Sequence, residues 1–527
     1  MNLLNKLVFP VLLIAIIALI VWRNTKHSAV TEPEIKDRLE YALQLAGNNC
    51  TELEKVLAHY KSDSLKYKAV VFLIENMPAY VSEEWGAFRQ SQKDTGFSLK
   101  AFKNSSEAIR VMDSLQISFS LTDIKTDINE VKSVFLISNI DKAFGLWNQP
   151  WGRHLSFGDF CEFLLPYRVD REKLEDFRVY LDLRYDNLFR EAKKCSTAFD
   201  ATSLVNMRLL TDVRWRSQMA LYPGKFTAKE TDRMGIGDCG HLSDYGLKVY
   251  RSLGIPIAND FVTAWGDNDG AHSWTAVKLS GMEIPFVACD VQPGEFSFYY
   301  RPAKVWRKTF ASQQSKLFHY KSEKQEVPPP LDDLHSIDVT ALYYKTIDID
   351  VELKEKPPNG NNCAFLCVYN CDQWVPVDWG KIINKQKMVR LSNINDSLLY
   401  CMMYYDWMKL RPASYPFFPY SESMIKYFIP DKDKLVSFKY IIKSKKINQP
   451  YDLFVWDGEW AIIATEIPKS EGATSVIDFN DIPSAGLYKV NDGLRPFWVG
   501  SGQIYRSEKG KPFGIKRLKC IRPTNPS

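Results

Sequence analysis

The chain has almost no surplus of charge: 68 Lys and Arg against 63 Asp and Glu leave +5 over 527 residues. No basic run interleaves with aromatics, so nucleic acid is not an expected partner. The ten cysteines are scattered, which excludes a small disulfide-stapled scaffold. Cys363, Cys367 and Cys371 form no CxxC and have no neighbouring histidine. That trio reads as strand packing or an occasional disulfide rather than a metal site, and no metal or organic cofactor is expected. The apolar run Leu7 to Trp22 also lacks a small-residue exit, because Arg23, Asn24, Thr25, Lys26 and His27 come directly after it. No cysteine closes that run, so lipidation is not expected. The predicted outcome is an uncleaved signal-anchor over 1–30, attaching an exported protein to a membrane; cleavage would instead release it as a periplasmic or extracellular protein.

What is present is globular in composition, with 45% hydrophobic and 25% charged residues. The length exceeds what one core serves, so roughly two to four domains are expected. Apolar stripes at Leu39, Leu43 and Ala46, and at Leu53, Val56 and Leu57, predict helices. Further short helices are expected from Ser82 to Phe135, giving a helical N-terminal region over 31–170. Lys324 to Asp333 contains Pro328, Pro329 and Pro330 and reads as a linker. Beyond it come short β-like runs: Val339 to Tyr344, Ile347 to Leu353 and Ala364 to Tyr369.

This last third holds an internal repeat. Val368 to Trp374 matches Val455 to Trp460, Ile394 to Tyr400 matches Ile482 to Tyr488, and Arg411-Pro412 is echoed by Arg495-Pro496. Trp374 and Trp460 are 86 residues apart, close to the size of one small β-sandwich. Two β-sandwich-like modules, 334–430 and 431–527, are expected, with glycan binding as one role such modules take.

The chemistry concentrates between Gly235 and Asp290. Gly235, Gly237 and Gly240 bracket Cys239, after which Leu242, Tyr245, Val249 and Leu253 recur at helical spacing until Gly254 and Pro256. Cys239 is therefore placed at a helix start, where unpaired N–H groups favour thiolate. Ile257 to Trp265 and His272 to Leu279 read as antiparallel strands about a Gly266-Asp267-Asn268-Asp269-Gly270 turn, and Ser280-Gly281 turns the chain again. His272, Trp274, Ala276 and Lys278 share one face of their strand, and Phe286, Ala288 and Asp290 share one face of the next. If those faces coincide, His272 lies between Cys239 and Asp290, as a base between its nucleophile and its orienting carboxylate.

At these residues the stretch resembles the transglutaminase-like core of the papain-like thiol enzyme superfamily. The matching elements are Gly237-Asp238-Cys239, the helix ending Leu253-Gly254-Ile255-Pro256, then Ala271-His272-Ser273-Trp274 and Cys289-Asp290. The resemblance covers Ser203 to Gln292, within a core of 171–323. It implies an α+β core with Cys239 as nucleophile, His272 as base and acid, and Asp290 as orienter. Upstream, Trp215 resembles an indole that some members place near the oxyanion. The fold class expected for the whole chain is multidomain α+β: helical region, transglutaminase-like core, tandem β modules.

The resemblance implies cysteine-dependent amide hydrolysis through a thioester, on a peptide, glycopeptide or cell-wall peptide. Transfer to an amine, a cross-linking reaction, shares the first step. A catalytically idle scaffold that binds glycans or proteins is the alternative from another class. His241 is a rival base, but residues at i and i+2 point to different helix faces. Asp244 is expected to cap or solvate the helix, and Cys289 to be core.

Overall fold

In a computed structural model, residues 38–89, 92–93, 96–313, 316–383, 387–442, 449–471, 474–492, 495–500 and 503–506 are described. The expected anchor lies outside them. Among the described residues no helix is long and apolar enough to cross a membrane. The architecture is α+β, with several separate sheets.

Helices α1 (Arg38–Leu45), α2 (Cys50–His59) and α3 (Ser64–Asn76) open the chain. The apolar stripe buries Ala42, Ala46, Leu53 and Val56 against Leu73, Leu136 and Ile140. Asp63 caps α3 by accepting from the Lys66 N–H. The next stretch corrects the all-helical expectation. β1 (Val81–Arg89) and β2 (Ile117–Thr126) pair antiparallel around α4 (Ser105–Leu115). The reason is local: Ile117, Phe119 and Leu121 alternate with Ser118, Ser120 and Thr122, a period of two rather than 3.6. Helices α5 (Ser133–Trp147) and α6 (Phe157–Phe163) then complete this cluster. A fully buried pair, Arg168 Nε to Asp127 Oδ2 at 2.7 Å, ties the segment after α6 back to it.

In the centre, α7 (Phe177–Arg184), α8 (Ala198–Asp212) and α9 (Cys239–Leu253) pack on an antiparallel sheet. Its strands are β3 (Ile257–Val262), β4 (His272–Leu279), β5 (Met282–Phe286), β6 (Trp306–Lys308) and β7 (Ser336–Asp338), in the order β7-β6-β3-β4-β5. The edge strand β7 comes from beyond the proline run, and that run is packed. Gln325 donates to the Cys363 carbonyl at 2.7 Å, its Oε1 accepts from the N–H groups of Asn362 and Cys363, and Leu331 is buried beside Phe365. A free linker would leave these groups in water. Thr340–Tyr343, expected as strand, is a short helix.

From Ile347 on, the described residues are β apart from short turns. β8 (Ile347–Glu352), β9 (Cys363–Asn370), β10 (Gln373–Ile383), β11 (Met388–Ile394), β12 (Tyr400–Asp406), β13 (Phe417–Ser421) and β14 (Met424–Tyr427) form one curled sheet. Its order is β8-β11-β10-β9-β12-β13-β14, with Lys409–Pro412 added on β12.

Then β15 (Asp431–Ile442) pairs β18 (Thr474–Ser484). A second sheet orders β17 (Trp460–Glu466), β16 (Tyr451–Trp456), β19 (Tyr488–Val490), β20 (Phe497–Gly500) and β21 (Gln503–Arg506).

The sequence repeat is a repeat of topology. Hairpin β9–β10 has β12 beside β9, and hairpin β16–β17 has β19 beside β16. Tyr400 donates its hydroxyl to the Asn395 carbonyl and Tyr488 to that of Pro483, five residues back in each case. The hairpins meet: Trp374 lies 5.6 Å from Trp456 and Tyr369 5.8 Å from Trp460, ring centre to centre. The tryptophans recur because they pack against the other copy.

Candidate active site

Cys239 is the first residue of α9. Asp238 caps that helix, its Oδ1 accepting from the His241 N–H at 2.9 Å. The same oxygen lies 2.7 Å from His241 Nδ1, and His241 Nε2 lies 3.2 Å from the Gly224 carbonyl. The rival base is therefore buried and engaged away from the thiol. Burial alone would raise the Asp238 carboxyl, but the His241 hydrogen bond and charge, with Lys225 behind them, hold it well below the carboxylate range.

The backbone N–H groups of Ser273 and Gly240 stand near enough to the Cys239 thiol to favour its ionised form. Ser273 comes directly after His272 at the start of β4, so the helix start lies beside the strand start. The thiol is not held as thiolate, contrary to expectation: burial, then the Asp238 charge, push its pKa up against the two N–H groups and Lys225. The desolvation of a buried thiol outweighs the helix terminus here.

His272 sits on the sheet face away from α9. It lies opposite Val262 and stacks among Trp265, Trp274 and Phe296, at ring distances of 6.0, 5.9 and 6.4 Å. Burial lowers its pKa to about 4. Its ring is thus neutral at pH 7, the form that accepts a proton. Among the described residues no hydrogen bond joins it to Cys239 or to Asp290.

The expected coincidence of faces does not occur. Leu279 pairs with Met282 across the two-residue turn, so odd residues of β4 oppose even residues of β5, and Thr275 faces Phe286. Phe286 accordingly joins the α9 side of the sheet, whereas His272 lies on the other. Asp290 lies just past the end of β5, in a tight turn where Val291 N–H donates to Val287 O at 2.9 Å. The turn is tied to α8, since Asn206 accepts from Cys289 N–H and donates to Val291 O. Cys289 is core, as expected. Asp290 is exposed, and what cover it has pushes its carboxyl up. Trp215, half exposed, lies in a short parallel pairing opposite Gly237, two residues before Cys239.

Composition and spacing did not disclose the charged network beneath α9. Asp244, expected at the surface, is buried and bonded to Lys225 at 2.9 Å. Lys225 also reaches Asp170, which pairs with Lys308. Asn259 links this network to the site: its Nδ2 donates to Asp244 Oδ1 at 3.3 Å and its Oδ1 accepts from Ser273 Oγ at 2.7 Å. The one local signal was a lysine and an aspartate at positions that an amphipathic helix and its preceding loop would bury. No group of three or more His, Cys, Asp or Glu that could hold a metal occurs among the described residues.

No family model matches the chain, and no curated protein does. A solved structure it partly resembles is that of a "Putative Cysteine Protease from Cytophaga hutchinsonii", at 19% identity over 21% of this chain, with a TM-score of 0.17. The chain spans 38% of that neighbour's length.

Proposed function

We propose that this chain is an exported thiol enzyme of the transglutaminase-like, papain-like kind, with an N-terminal region of helices and one β-hairpin and two β-sandwich modules. The observation that carries this reading is the placing of Cys239 at the start of α9 beside the start of β4, where the Ser273 N–H, one residue after His272, favours the ionised thiol. Cys239 is the nucleophile and His272 the base. As the sulfur–carbon bond forms, the thiol proton passes to the imidazole and on to the departing amine as the carbon–nitrogen bond breaks. Water then cleaves the thioester to an acid, or an amine takes the acyl group to form a new amide. The substrate class is a peptide, a glycopeptide or a cell-wall peptide. Asp290 enters as the carboxylate that chain order supplies, and Trp215, beside Gly237, as an oxyanion or substrate contact. The N-terminal run holds the enzyme at a membrane.

The second reading, a catalytically idle scaffold that binds glycans or proteins, is favoured by one observation: His272 stacks among Trp265, Trp274 and Phe296, and among the described residues no hydrogen bond joins it to Cys239. An active-site-directed thiol probe separates the two. Labelling of Cys239 that collapses in His272→Ala supports the enzyme; equal labelling of both proteins supports the scaffold.

A further inference from the structure

The loop that leads into His272 is fastened from outside the central sheet. Asn370, buried at the end of β9, reaches over it: its Nδ2 lies 3.1 Å from the Trp265 carbonyl, 2.9 Å from that of Asn268 and 3.0 Å from that of Gly270. Its Oδ1 accepts from the Gly270 N–H at 3.0 Å. The next N–H, that of Cys371, donates to Asp269 Oδ1 at 2.8 Å.

Arg495, from the last sheet system, closes over both partners. It donates from Nη2 to the Gly266 carbonyl at 2.8 Å and to the Tyr369 carbonyl, with Nη1 3.4 Å from Asp269. Leu398 seals the same place, because a Cβ on Gly266 would stand 2.5 Å from its Cδ1.

Left to itself, Gly266-Asp267-Asn268-Asp269-Gly270 is a sequence with wide backbone freedom. In this fold the Gly270 N–H and the carbonyls of Gly266, Asn268 and Gly270 are tied to residues about a hundred and more than two hundred positions later, while the Gly266 N–H donates to the nearer Arg301 carbonyl. His272 is only two residues further on. We propose that Asn370 and Arg495 are positioning residues for His272, so that the reacting unit is the core together with both C-terminal modules. This rests on the base role proposed for His272. The two modules are then parts of the site rather than spacers, and loosening either one displaces the imidazole relative to the thiol. Misplacements on the scale of an ångström are worth about 100-fold in rate.

The test uses the full chain with Asn370→Ala, Arg495→Ala and the conservative Arg495→Lys, each first shown to keep its unfolding transition. Amide hydrogen exchange over 265–273 and the pH profile of Cys239 alkylation by iodoacetamide are both read. Expected are exchange faster by about tenfold or more in the two alanine variants and a fall of roughly 10- to 100-fold in His272-dependent labelling. Arg495→Lys keeps one donor for Gly266 and should recover part of both. Unchanged exchange in folded Asn370→Ala and Arg495→Ala would overturn the proposal. So would faster exchange with a labelling profile that stays as in the parent chain. If His272→Ala itself leaves Cys239 labelling unchanged, the thiol reading is what falls, and the exchange measurement still decides whether the two residues hold the loop.

Discussion

Gly246 of α9 and Ala288 approach so closely that a Cβ on the glycine would lie 2.3 Å from the alanine Cβ. This contact seats the turn carrying Cys289 and Asp290 on the helix that begins at Cys239. Gly246→Ala should therefore destabilise the fold. An alanine gains about 1 kcal/mol of helix propensity over glycine, but the forced shift of a packed turn costs about 1–3 kcal/mol. Denaturant unfolding should show a net loss, and a more stable variant would mean that the turn moves freely.

The three site positions should contribute unequally. Cys239→Ala should abolish thioester formation. His272→Ala should lower Cys239 labelling and turnover by about 10²- to 10⁴-fold, as loss of a base does in such centres. Asp290→Asn should be the mildest, within a few-fold of the parent in labelling rate, because no hydrogen bond ties Asp290 to the imidazole in this geometry. A loss as deep as that of His272→Ala would show that Asp290 reaches the ring during turnover.

His272 also makes stability depend on pH. Its pKa is lowered from 6.5 to about 4 on folding, so the unfolded chain binds the extra proton between those values. Stability should be full above about pH 6.5 and fall as pH drops toward 4, by at most about 3 kcal/mol from this ring. His272→Phe should flatten that part of the stability-against-pH curve. Because burial raises the thiol, alkylation of Cys239 should climb with pH through the alkaline range and show no acidic thiolate plateau.

Cutting position should matter sharply around the proline run. A chain ending at residue 333 loses β7 and its pairing with β6, whereas one ending at residue 345 keeps both. The shorter fragment should unfold at lower denaturant. Equal midpoints would show that the edge strand contributes nothing.

How much of the molecule is legible in its sequence depends on range. The helix Cys239–Leu253 and the strand His272–Leu279 lie where apolar spacing and glycine-rich turns put them, and the strand expected over Ile257 to Trp265 is there but ends at Val262, since those signals are local. The hairpin of β1 and β2 is also legible in its serine alternation, which an expectation of continuing helices overrode. The mismatch of faces between His272 and Phe286 hangs on parity across one two-residue turn, a smaller signal than hydrophobicity. The buried Lys225–Asp244 pair and the hold of Asn370 on the loop depend on which distant segments meet, and no local pattern encodes that.

The clasp of Arg495 on Gly266 spans 229 residues. A polypeptide made from its N-terminus has the cysteine helix and the histidine strand long before it has that arginine. Until residue 495 has emerged and folded back, the loop before His272 lacks its last fastening. The order of synthesis therefore makes this bond the last of the loop's ties to form, after the Asn370 contacts have become available.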